Sequence, residues 1–389
     1  MVPVVFDEEL KDLERRQLLR NAVEIGSWQG SRVSVNGKEL LLFCSNDYLG
    51  LASHPALVRA ASDAMERFGF GTGASRLVSG SSHLHRELEE ALARFKNADD
   101  AILFNSGYTA NTSLIPAIAG EGDAIFSDSL NHASIIDGCR LSRARTFVYR
   151  HRDAGHLEEL LKQSGNAKRK LIVTDGVFSM DGDLAPLPDI VAAAERYGAI
   201  VMLDDAHATG VLGGQGRGTA EHFGLKGRVH IQMGTLGKAF GSFGAYAAGD
   251  RDLIAYLRNK ARGYIYSTAL PSAVCAASLA ALSIITSEPE RRNRIWKNRQ
   301  TFVEGLNALG ITVGPSESPI IPLVVGDSGR TLDASRVLME EGVFASAIRP
   351  PTVPEGTARI RATLTAIQSE DDINQALKAF SRLKKEGYL

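Results

Sequence analysis

Two short segments of this 389-residue chain carry side chains that could do covalent chemistry together. Asp204 ends the apolar run 201–203, His207 follows it, and Lys238 lies in a glycine-rich segment further along the chain. A lysine can form a Schiff base with pyridoxal 5'-phosphate (PLP), and a carboxylate can keep the pyridine nitrogen of that cofactor protonated. The pair therefore predicts a PLP-dependent enzyme, in which His207 could reach the phenolic oxygen of the cofactor. Taken singly, Asp204 also fits a helix cap or a solvated strand end, His207 a loop histidine, and Lys238 a solvated turn residue.

The phosphate of such a cofactor needs hydrogen-bond donors, and two segments could supply them. Residues 103–111 pass from a predicted strand through a Ser-Gly turn into a predicted helix, whose free N–H groups favour an anion. This pattern predicts phosphate contacts at Gly107 and Tyr108, and Thr235 could donate a further hydrogen bond. Each pattern also fits an ordinary helix cap or turn, and the local sequence does not separate the two interpretations.

Further side chains could contact the ring or an amino-acid substrate. His132 lies at a predicted strand-to-helix junction, where its ring could stack on the pyridine, although a buried structural histidine fits equally well. Ser179 follows another predicted strand and could donate to the ring oxygen. Arg349 and Arg361 flank a proline-rich segment, and a guanidinium group suits a carboxylate. Surface arginines are the usual alternative.

The elements that must position these residues alternate along the chain from residue 55 onward. Short β-rich runs are separated by helical patterns, and the runs are 101–104, 123–126, 145–148, 170–174, 199–203, 229–232 and 244–247. Strands separated by helices imply a mainly parallel sheet that is covered on both faces. Ligands bind at the carboxyl ends of such strands, which is where most of the candidate residues fall.

Three parts are expected along the chain. Residues 1–45 contain a charged helix (8–20) and a β-hairpin (32–43) that turns at Asn36-Gly37. Residues 46–287 form the large PLP-binding α/β domain. Residues 288–389 form a smaller α+β domain, with a long charged helix, strands at 320–325 and 359–363, a helix at 332–341 and a last helix from residue 370.

Composition narrows the function classes. The net charge is −1 with both signs interspersed, which gives no electrostatic footprint for nucleic acid or for an anionic membrane. The three cysteines are far apart and odd in number, so the pattern predicts neither a disulfide framework nor a zinc site. The first residues lack a signal-peptide pattern and no apolar run is long enough to span a bilayer. We expect a cytoplasmic enzyme with small-molecule substrates and no metal.

Taken together, the motifs resemble those of PLP-dependent enzymes with the aspartate-aminotransferase fold (fold type I). Within that group the chain is similar to the α-oxoamine synthases, which join an amino acid to an acyl thioester with loss of carbon dioxide. The segments that carry the resemblance are Ser45-Asn46-Asp47-Tyr48-Leu49-Gly50-Leu51, residues 176–182, residues 204–210 and Gly237-Lys238. The resemblance covers nearly the whole chain. Asp175 and Ala208 depart from the usual family residues, and we expect neither to contact a catalytic group.

The resemblance also implies roles for particular residues. Lys238 would carry the cofactor and then act as base, Asp204 would face the pyridine nitrogen, and His132 would stack on the ring and polarise the thioester. Ser267 and Thr268 would reach the phosphate in the neighbouring subunit of a homodimer. The positions expected to contact substrate are Arg20, Asn46, His132, Arg349, Thr352 and Arg361, of which Arg361 is the first choice for the amino-acid carboxylate.

Segments 264–271 and 347–354 are similar to the branch of this family that acts in biotin biosynthesis. That branch condenses L-alanine with a pimeloyl thioester, and the sequence leaves open whether coenzyme A or an acyl carrier protein carries the acyl group. Sibling reactions of the glycine C-acetyltransferase, 5-aminolevulinate synthase or serine palmitoyltransferase type use the same core residues. An aminotransferase or lyase of the same fold is a more distant alternative. A non-enzymatic binding protein would be expected to lack the lysine or the aspartate, and both are present.

Overall fold

A computed structural model describes residues 6–389. The helices in chain order are α1 (Asp7–Arg15), α2 (Pro55–Phe68), α3 (His83–Lys96), α4 (Gly107–Ile118), α5 (Ala133–Leu141), α6 (Ala154–Gln163), α7 (Leu187–Tyr197), α8 (Thr219–His222), α9 (Arg251–Lys260), α10 (Arg262–Ile265), α11 (Ser272–Ser287), α12 (Pro289–Ala308), α13 (Ser328–Glu340) and α14 (Glu370–Lys385). The strands are β1 (Arg32–Val35), β2 (Lys38–Leu42), β3 (Asp100–Phe104), β4 (Ala124–Asp128), β5 (Arg145–Tyr149), β6 (Lys170–Asp175), β7 (Ile200–Asp204), β8 (Ile231–Thr235), β9 (Ala245–Gly249), β10 (Ile320–Gly326), β11 (Val343–Phe344), β12 (Ser346–Ile348) and β13 (Ala358–Thr363).

The chain divides into two compact units. The larger unit contains residues 46–179 and 183–292, and the smaller contains residues 180–182, residues 293–389 and the chain up to Ser45. The first five residues of the predicted N-terminal segment lie outside the described part of the chain. The predicted division into three parts stays a prediction.

The larger unit is built on a seven-stranded sheet with the order β3-β9-β8-β7-β6-β4-β5. The pairs β4–β5, β4–β6, β6–β7 and β7–β8 are parallel, whereas β9 runs antiparallel to both of its neighbours. Side chains on successive strand residues point to opposite faces of the sheet. On strand β7, Met202 belongs to a buried apolar cluster with Leu114 of α4, and Val201 belongs to a second buried cluster with Leu187 of α7. Both faces are therefore covered, and the predicted α/β architecture is confirmed.

The smaller unit joins the two ends of the chain. The hairpin β1–β2 forms as predicted, with Asn36 and Gly37 at positive φ in its turn. Strand β2 also pairs in parallel with β11, so hairpin residues such as Val33 pack with Phe344. A second sheet has the order β10-β13-β12.

Several predicted elements have different bounds in the structure, among them the helix predicted at 332–341, which begins at Ser328 and ends at Glu340. The first helix ends at Arg15 rather than at residue 20. Strand β8 begins two residues later than predicted and extends to Thr235, because Thr235 pairs with Ala245 on the neighbouring strand. This extension brings Thr235 to the edge of the sheet where the other candidate residues lie. Among residues 6–389 no single helix is long and apolar enough to cross a membrane. Helices α11 and α12 taken together have the length and composition of a membrane span, but they are bent by 74° relative to each other.

Candidate active site

The centre of the site is the buried carboxyl group of Asp204, the last residue of strand β7. Its Oδ1 accepts from the backbone N–H of Ala206 at 2.9 Å, and its Oδ2 accepts from Asn111 Nδ2 at 2.7 Å. Burial raises the pKa of Asp204 above its usual range. A buried acid in this position is stabilised by a positively charged partner, and a protonated ring nitrogen is such a partner.

A second buried carboxyl group, that of Asp175, lies on the adjacent strand. Asp175 and Asp204 are register partners at the carboxyl ends of β6 and β7. Burial, and then the charge of Asp204, raise the pKa of Asp175 well above its usual range. The Asp175 carboxylate accepts from the backbone N–H of His132 at 2.7 Å. The expectation that Asp175 contacts no catalytic group is therefore wrong, because parallel strand ends bring the β4 and β6 loops together.

His132 lies at the junction between strand β4 and helix α5, as the sequence predicts. It caps that helix, since its Nδ1 accepts from the backbone N–H of Ser134 at 3.2 Å. Desolvation lowers the pKa of His132, which favours the neutral ring. A neutral imidazole held by one edge leaves its flat face available for stacking on another ring.

Lys238 and His207 are brought together from two different loops. Lys238 Nζ lies 2.9 Å from His207 Nε2, and the hydroxyl of Tyr48 lies 2.6 Å from Nδ1 of the same imidazole. His207 and Tyr48 are buried, while Lys238 is half-buried. The three side chains form a hydrogen-bonded chain that includes the lysine amine, so the imidazole of His207 can orient that amine.

The expected phosphate donors also meet. Ser106 caps helix α4 by accepting from the backbone N–H of Thr109 at 3.1 Å, and Gly107 and Tyr108 follow as the first helical residues. A Cβ atom at Gly107 would lie 2.9 Å from Cγ2 of Thr235, so glycine permits this close approach. The hydroxyl of Thr235 is buried without a hydrogen-bond partner among residues 6–389. An orphaned hydroxyl beside a helix N-terminus fits the phosphate of PLP.

The remaining cofactor candidates lie in neighbouring loops of the larger unit. Asn105 Nδ2 donates to the carbonyl oxygen of Thr268 at 2.9 Å, which brings the Ser267–Thr268 segment to the end of strand β3. Ser179 lies in the turn after β6, where Val177 and Leu184 form an isolated bridge. Asn46 begins the larger unit.

The other candidate substrate contacts belong to the smaller unit. Arg20 Nη2 donates to the carbonyl oxygen of Pro350 at 2.9 Å, and the backbone N–H of Thr352 donates to the carbonyl oxygen of Arg349 at 3.1 Å. These three side chains therefore share one region. Arg361 is buried on strand β13, opposite Ser346 of β12, with Nη1 donating to Thr363 Oγ1 at 3.0 Å.

Sequence reasoning missed three residues that the geometry places at the centre of the site: Tyr48, Asn111 and Asp175. Asp175 could have been found from the sequence, because it ends a predicted strand in the same way as Asp204. Asn111 lies one helical turn after Gly107, on the first turns of α4. Tyr48 lies within the quoted 45–51 segment, but nothing in that segment indicates that His207 is its partner.

Comparison with known proteins agrees with this geometry. The family model described as aminotransferase class I and II matches residues 38–380. The 8-amino-7-oxononanoate synthase of Geobacter sulfurreducens is 52% identical over 380 residues, which are 97% of each chain. That of Geobacter metallireducens is 53% identical over 382 residues, which are 98% of each chain. The solved structure of serine palmitoyltransferase from S. paucimobilis with bound PLP has a TM-score of 0.94 and 31% identity, and 98% of each chain is covered.

A PLP-dependent enzyme with a mainly parallel sheet is the class that the fold and the site define. The chain belongs to the aminotransferase class I and II family and, within it, to the 8-amino-7-oxononanoate synthase group. The predicted fold, cofactor and enzyme class are thereby confirmed. The roles of the individual site residues stay predictions.

Proposed function

We propose that this protein condenses L-alanine with a pimeloyl thioester to give 8-amino-7-oxononanoate, carbon dioxide and free thiol, in biotin biosynthesis. A carbon–carbon bond forms between the alanine α-carbon and the thioester carbonyl carbon, the thiol leaves, and the alanine carboxyl group leaves as carbon dioxide. The observation that carries the proposal is the full-length similarity to 8-amino-7-oxononanoate synthases, at 52% identity over 97% of each chain. The meeting of Lys238, His207 and Asp204 in one site supports it.

The residues described above would hold PLP at both ends. Thr235 Oγ1 and the first N–H groups of helix α4, at Gly107 and Tyr108, would bind the phosphate. Asp204 would hold a proton at the pyridine nitrogen, for which its two hydrogen bonds already orient the carboxylate. His207 and Ser179 would donate to the phenolic oxygen. Bound PLP supplies an electron sink for the negative charge that develops on the amino-acid α-carbon.

Lys238 is proposed as the base that removes the proton from the alanine α-carbon. The amine becomes free for this role when the amino group of alanine replaces it on the cofactor. His207, which is hydrogen-bonded to Tyr48, lies within hydrogen-bond distance of that amine and would orient it. A base that is held in place loses less entropy in the proton transfer than a mobile one. The same amine can return a proton to the α-carbon after carbon dioxide has left.

His132 is proposed to orient the substrate and to polarise the thioester carbonyl group. Its backbone is fixed by Asp175 and its Nδ1 by Ser134, so Nε2 is the ring nitrogen left to face substrate. In the smaller unit we propose Arg361 as the partner of the alanine carboxylate, on the basis of the sequence match. The other proposed substrate contacts are Arg20, Asn46, Arg349 and Thr352.

We further propose a homodimer with shared sites, in which Ser267 and Thr268 serve the phosphate of the partner subunit. Large apolar side chains are exposed in the two segments around them: Phe70 and Val78 are each 80% exposed, and Tyr266 is 69% exposed. The two segments are tied together, because the backbone N–H of Ala269 donates to the carbonyl oxygen of Ala74 at 2.9 Å. Apolar surface concentrated in this way is typical of a protein–protein interface.

The test measures thiol release by the PLP-loaded protein with L-alanine, glycine or L-serine, each combined with pimeloyl-CoA, acetyl-CoA, succinyl-CoA or palmitoyl-CoA. We expect thiol and carbon dioxide in equal amounts with L-alanine and pimeloyl-CoA. Lys238→Ala should abolish both the reaction and the visible band of lysine-bound PLP. Lys260→Ala, which removes an exposed lysine at the end of α9, is the matched control and should change neither.

A sibling reaction has one observation in its favour, since the serine palmitoyltransferase structure has a TM-score of 0.94. Turnover of L-serine with palmitoyl-CoA, without turnover of L-alanine with pimeloyl-CoA, would therefore replace the proposed reaction by that one. Replacing coenzyme A with an acyl carrier protein in the same assay identifies the preferred carrier.

A further inference from the structure

His151 lies outside the residues that would touch the cofactor, in the loop between strand β5 and helix α6. Each of its ring nitrogens faces a buried carboxylate: Nδ1 lies 2.9 Å from Asp128 Oδ1, and Nε2 lies 2.9 Å from Asp183 Oδ2. The edge of its ring packs against Phe178, with the ring centroids 4.4 Å apart. Only the imidazolium form carries two N–H groups, so only that form donates to both carboxylates.

The two carboxylates belong to the two loops that carry candidate cofactor contacts. Asp128 ends strand β4 and accepts from the backbone N–H of Leu130 at 2.9 Å, within the loop that leads to His132. Asp183 lies in the turn that contains Ser179, and its carbonyl oxygen accepts from the backbone N–H of Phe178 at 3.0 Å. His151 is thus a hydrogen-bonded link between the His132 loop and the Ser179 turn.

We infer that protonated His151 is a positioning residue that holds the His132 loop and the Ser179 turn in the geometry that binds the cofactor ring. The inference rests on the proposed contacts of His132 and Ser179 with PLP. It does not depend on which substrates the enzyme uses.

The charges around His151 explain why the proton matters. Asp128 faces it from β4 and Asp183 from the turn after β6, while Arg152 of its own loop lies 3.2 Å from Asp183. Tyr149, at the end of β5, is buried and stays neutral, because burial raises the pKa of its hydroxyl. Protonated His151 and Arg152 offset the charges of the two aspartates. Loss of the His151 proton removes one of these positive charges from a partly buried cluster and removes one hydrogen bond.

The pH dependence follows from the same contacts. Hydrogen bonds to the two aspartates outweigh desolvation and raise the pKa of His151 from 6.5 to about 9. Because the folded-state pKa is the higher one, the link is fully present below pH 6.5 and is lost as the pH rises through about 9. Cofactor affinity should weaken over the same interval.

The experiment titrates PLP into the apoprotein and follows the visible absorbance band from pH 7 to pH 10. His151→Gln should raise the dissociation constant on the order of tenfold at pH 7, because an amide cannot donate to both aspartates, and it should lack the step near pH 9. In the double variant His151→Gln/Asp183→Asn, the two amide side chains can again form a complementary hydrogen bond, and neither amide ionises. This double variant should recover affinity at pH 7 and still lack the step.

His222→Gln is the matched control, because His222 also packs edge-on against a phenylalanine, with ring centroids 4.8 Å apart, but is exposed. It should behave as wild type. An unchanged dissociation constant and an unchanged step in His151→Gln overturn the inference, and so does a lower melting temperature with unchanged PLP binding. If the single variant does not fold, the inference is tested by two results: whether the wild type shows the step in PLP affinity near pH 9, and whether the double variant binds PLP normally at pH 7 but lacks that step. PLP binding needs no acyl donor, so failure here is distinct from failure of the proposed condensation.

Discussion

The ion pair between Lys96 and Asp205 leads to a quantitative prediction about the strand that carries Asp204. Lys96 Nζ lies 3.0 Å from Asp205 Oδ2, and both side chains are 0% exposed. Lys96 also donates to the carbonyl oxygen of Arg217, and the Asp205 carboxylate accepts from the backbone N–H of Thr219 at 3.2 Å. The pair therefore ties helix α3 to the first residue after β7, between the two functional residues Asp204 and His207.

The distance sets the size of the effect. Two unit charges 3.0 Å apart attract each other by about 5 kcal/mol at an effective dielectric constant of about 20, and the cost of desolvating both groups offsets much of this. When one partner is removed, the other charge still pays the desolvation cost but loses the attraction that offset it, since solvent does not reach the site. We expect Lys96→Met to lower the free energy of unfolding by about 3–5 kcal/mol.

A double-mutant cycle measured by denaturant unfolding of the apoprotein tests this reasoning. Lys96→Met and Asp205→Asn should each destabilise, and the double variant should lose less than the sum by at least about 1.5 kcal/mol. Lys260→Met replaces an exposed lysine and should change stability by less than about 0.5 kcal/mol. Additive single effects, or a Lys96→Met variant as stable as wild type, would refute the argument that the two charges depend on each other.

Three shorter predictions concern other polar groups. Thr235→Val should leave apoprotein stability unchanged or raise it by about 1 kcal/mol, because the hydroxyl has no partner among residues 6–389, while PLP titration should show on the order of tenfold weaker binding; equal binding would argue against a phosphate role. Tyr48→Phe removes the 2.6 Å hydrogen bond to His207 and should lower the free energy of unfolding by about 1 kcal/mol. It should also shift the pH at which the visible band of bound PLP changes. An unshifted spectrum would show that the tyrosine does not influence the site. Burial lowers the pKa of His85 from 6.5 to about 4, so its contribution to stability is complete above pH 6.5 and is lost as the pH falls towards 4. Unfolding measured across that interval should be less pH-dependent in His85→Gln, and an identical pH dependence would contradict this.

Most strands of the larger sheet were predictable because they are short apolar runs that are buried on both faces, although the edge strand β5 is buried only at Phe147 and Tyr149. The runs at 101–104, 145–148 and 170–174 each lie within one residue of the observed strands at both ends. The direction of β9 was not predictable in this way. It runs antiparallel between β3 and β8, and nothing in its short run of small residues indicates that direction.

The partners of the candidate residues were less predictable than their positions. Parallel order in a sheet brings residues that are distant in the chain to one edge, so Asp175 meets His132 and Tyr48 meets His207 through contacts that no local pattern encodes. The N-terminal hairpin shows the same limit. Its turn at Asn36-Gly37 follows from local conformational preference, but its pairing with β11 is a long-range contact.

By itself, the sequence determined the fold class and the cofactor, and it predicts the lysine that would carry that cofactor, because apolar periodicity and short motifs are local properties of the chain. Only the tertiary structure decided how the site is held. The two buried carboxyl groups at neighbouring strand ends, the hydrogen-bonded chain from Tyr48 to Lys238, the orphaned hydroxyl of Thr235 and the doubly bonded His151 all depend on strand order and burial. Those quantities arise only when distant segments pack, since pKa values and hydrogen-bond partners are set by the surroundings of a residue rather than by its neighbours in sequence.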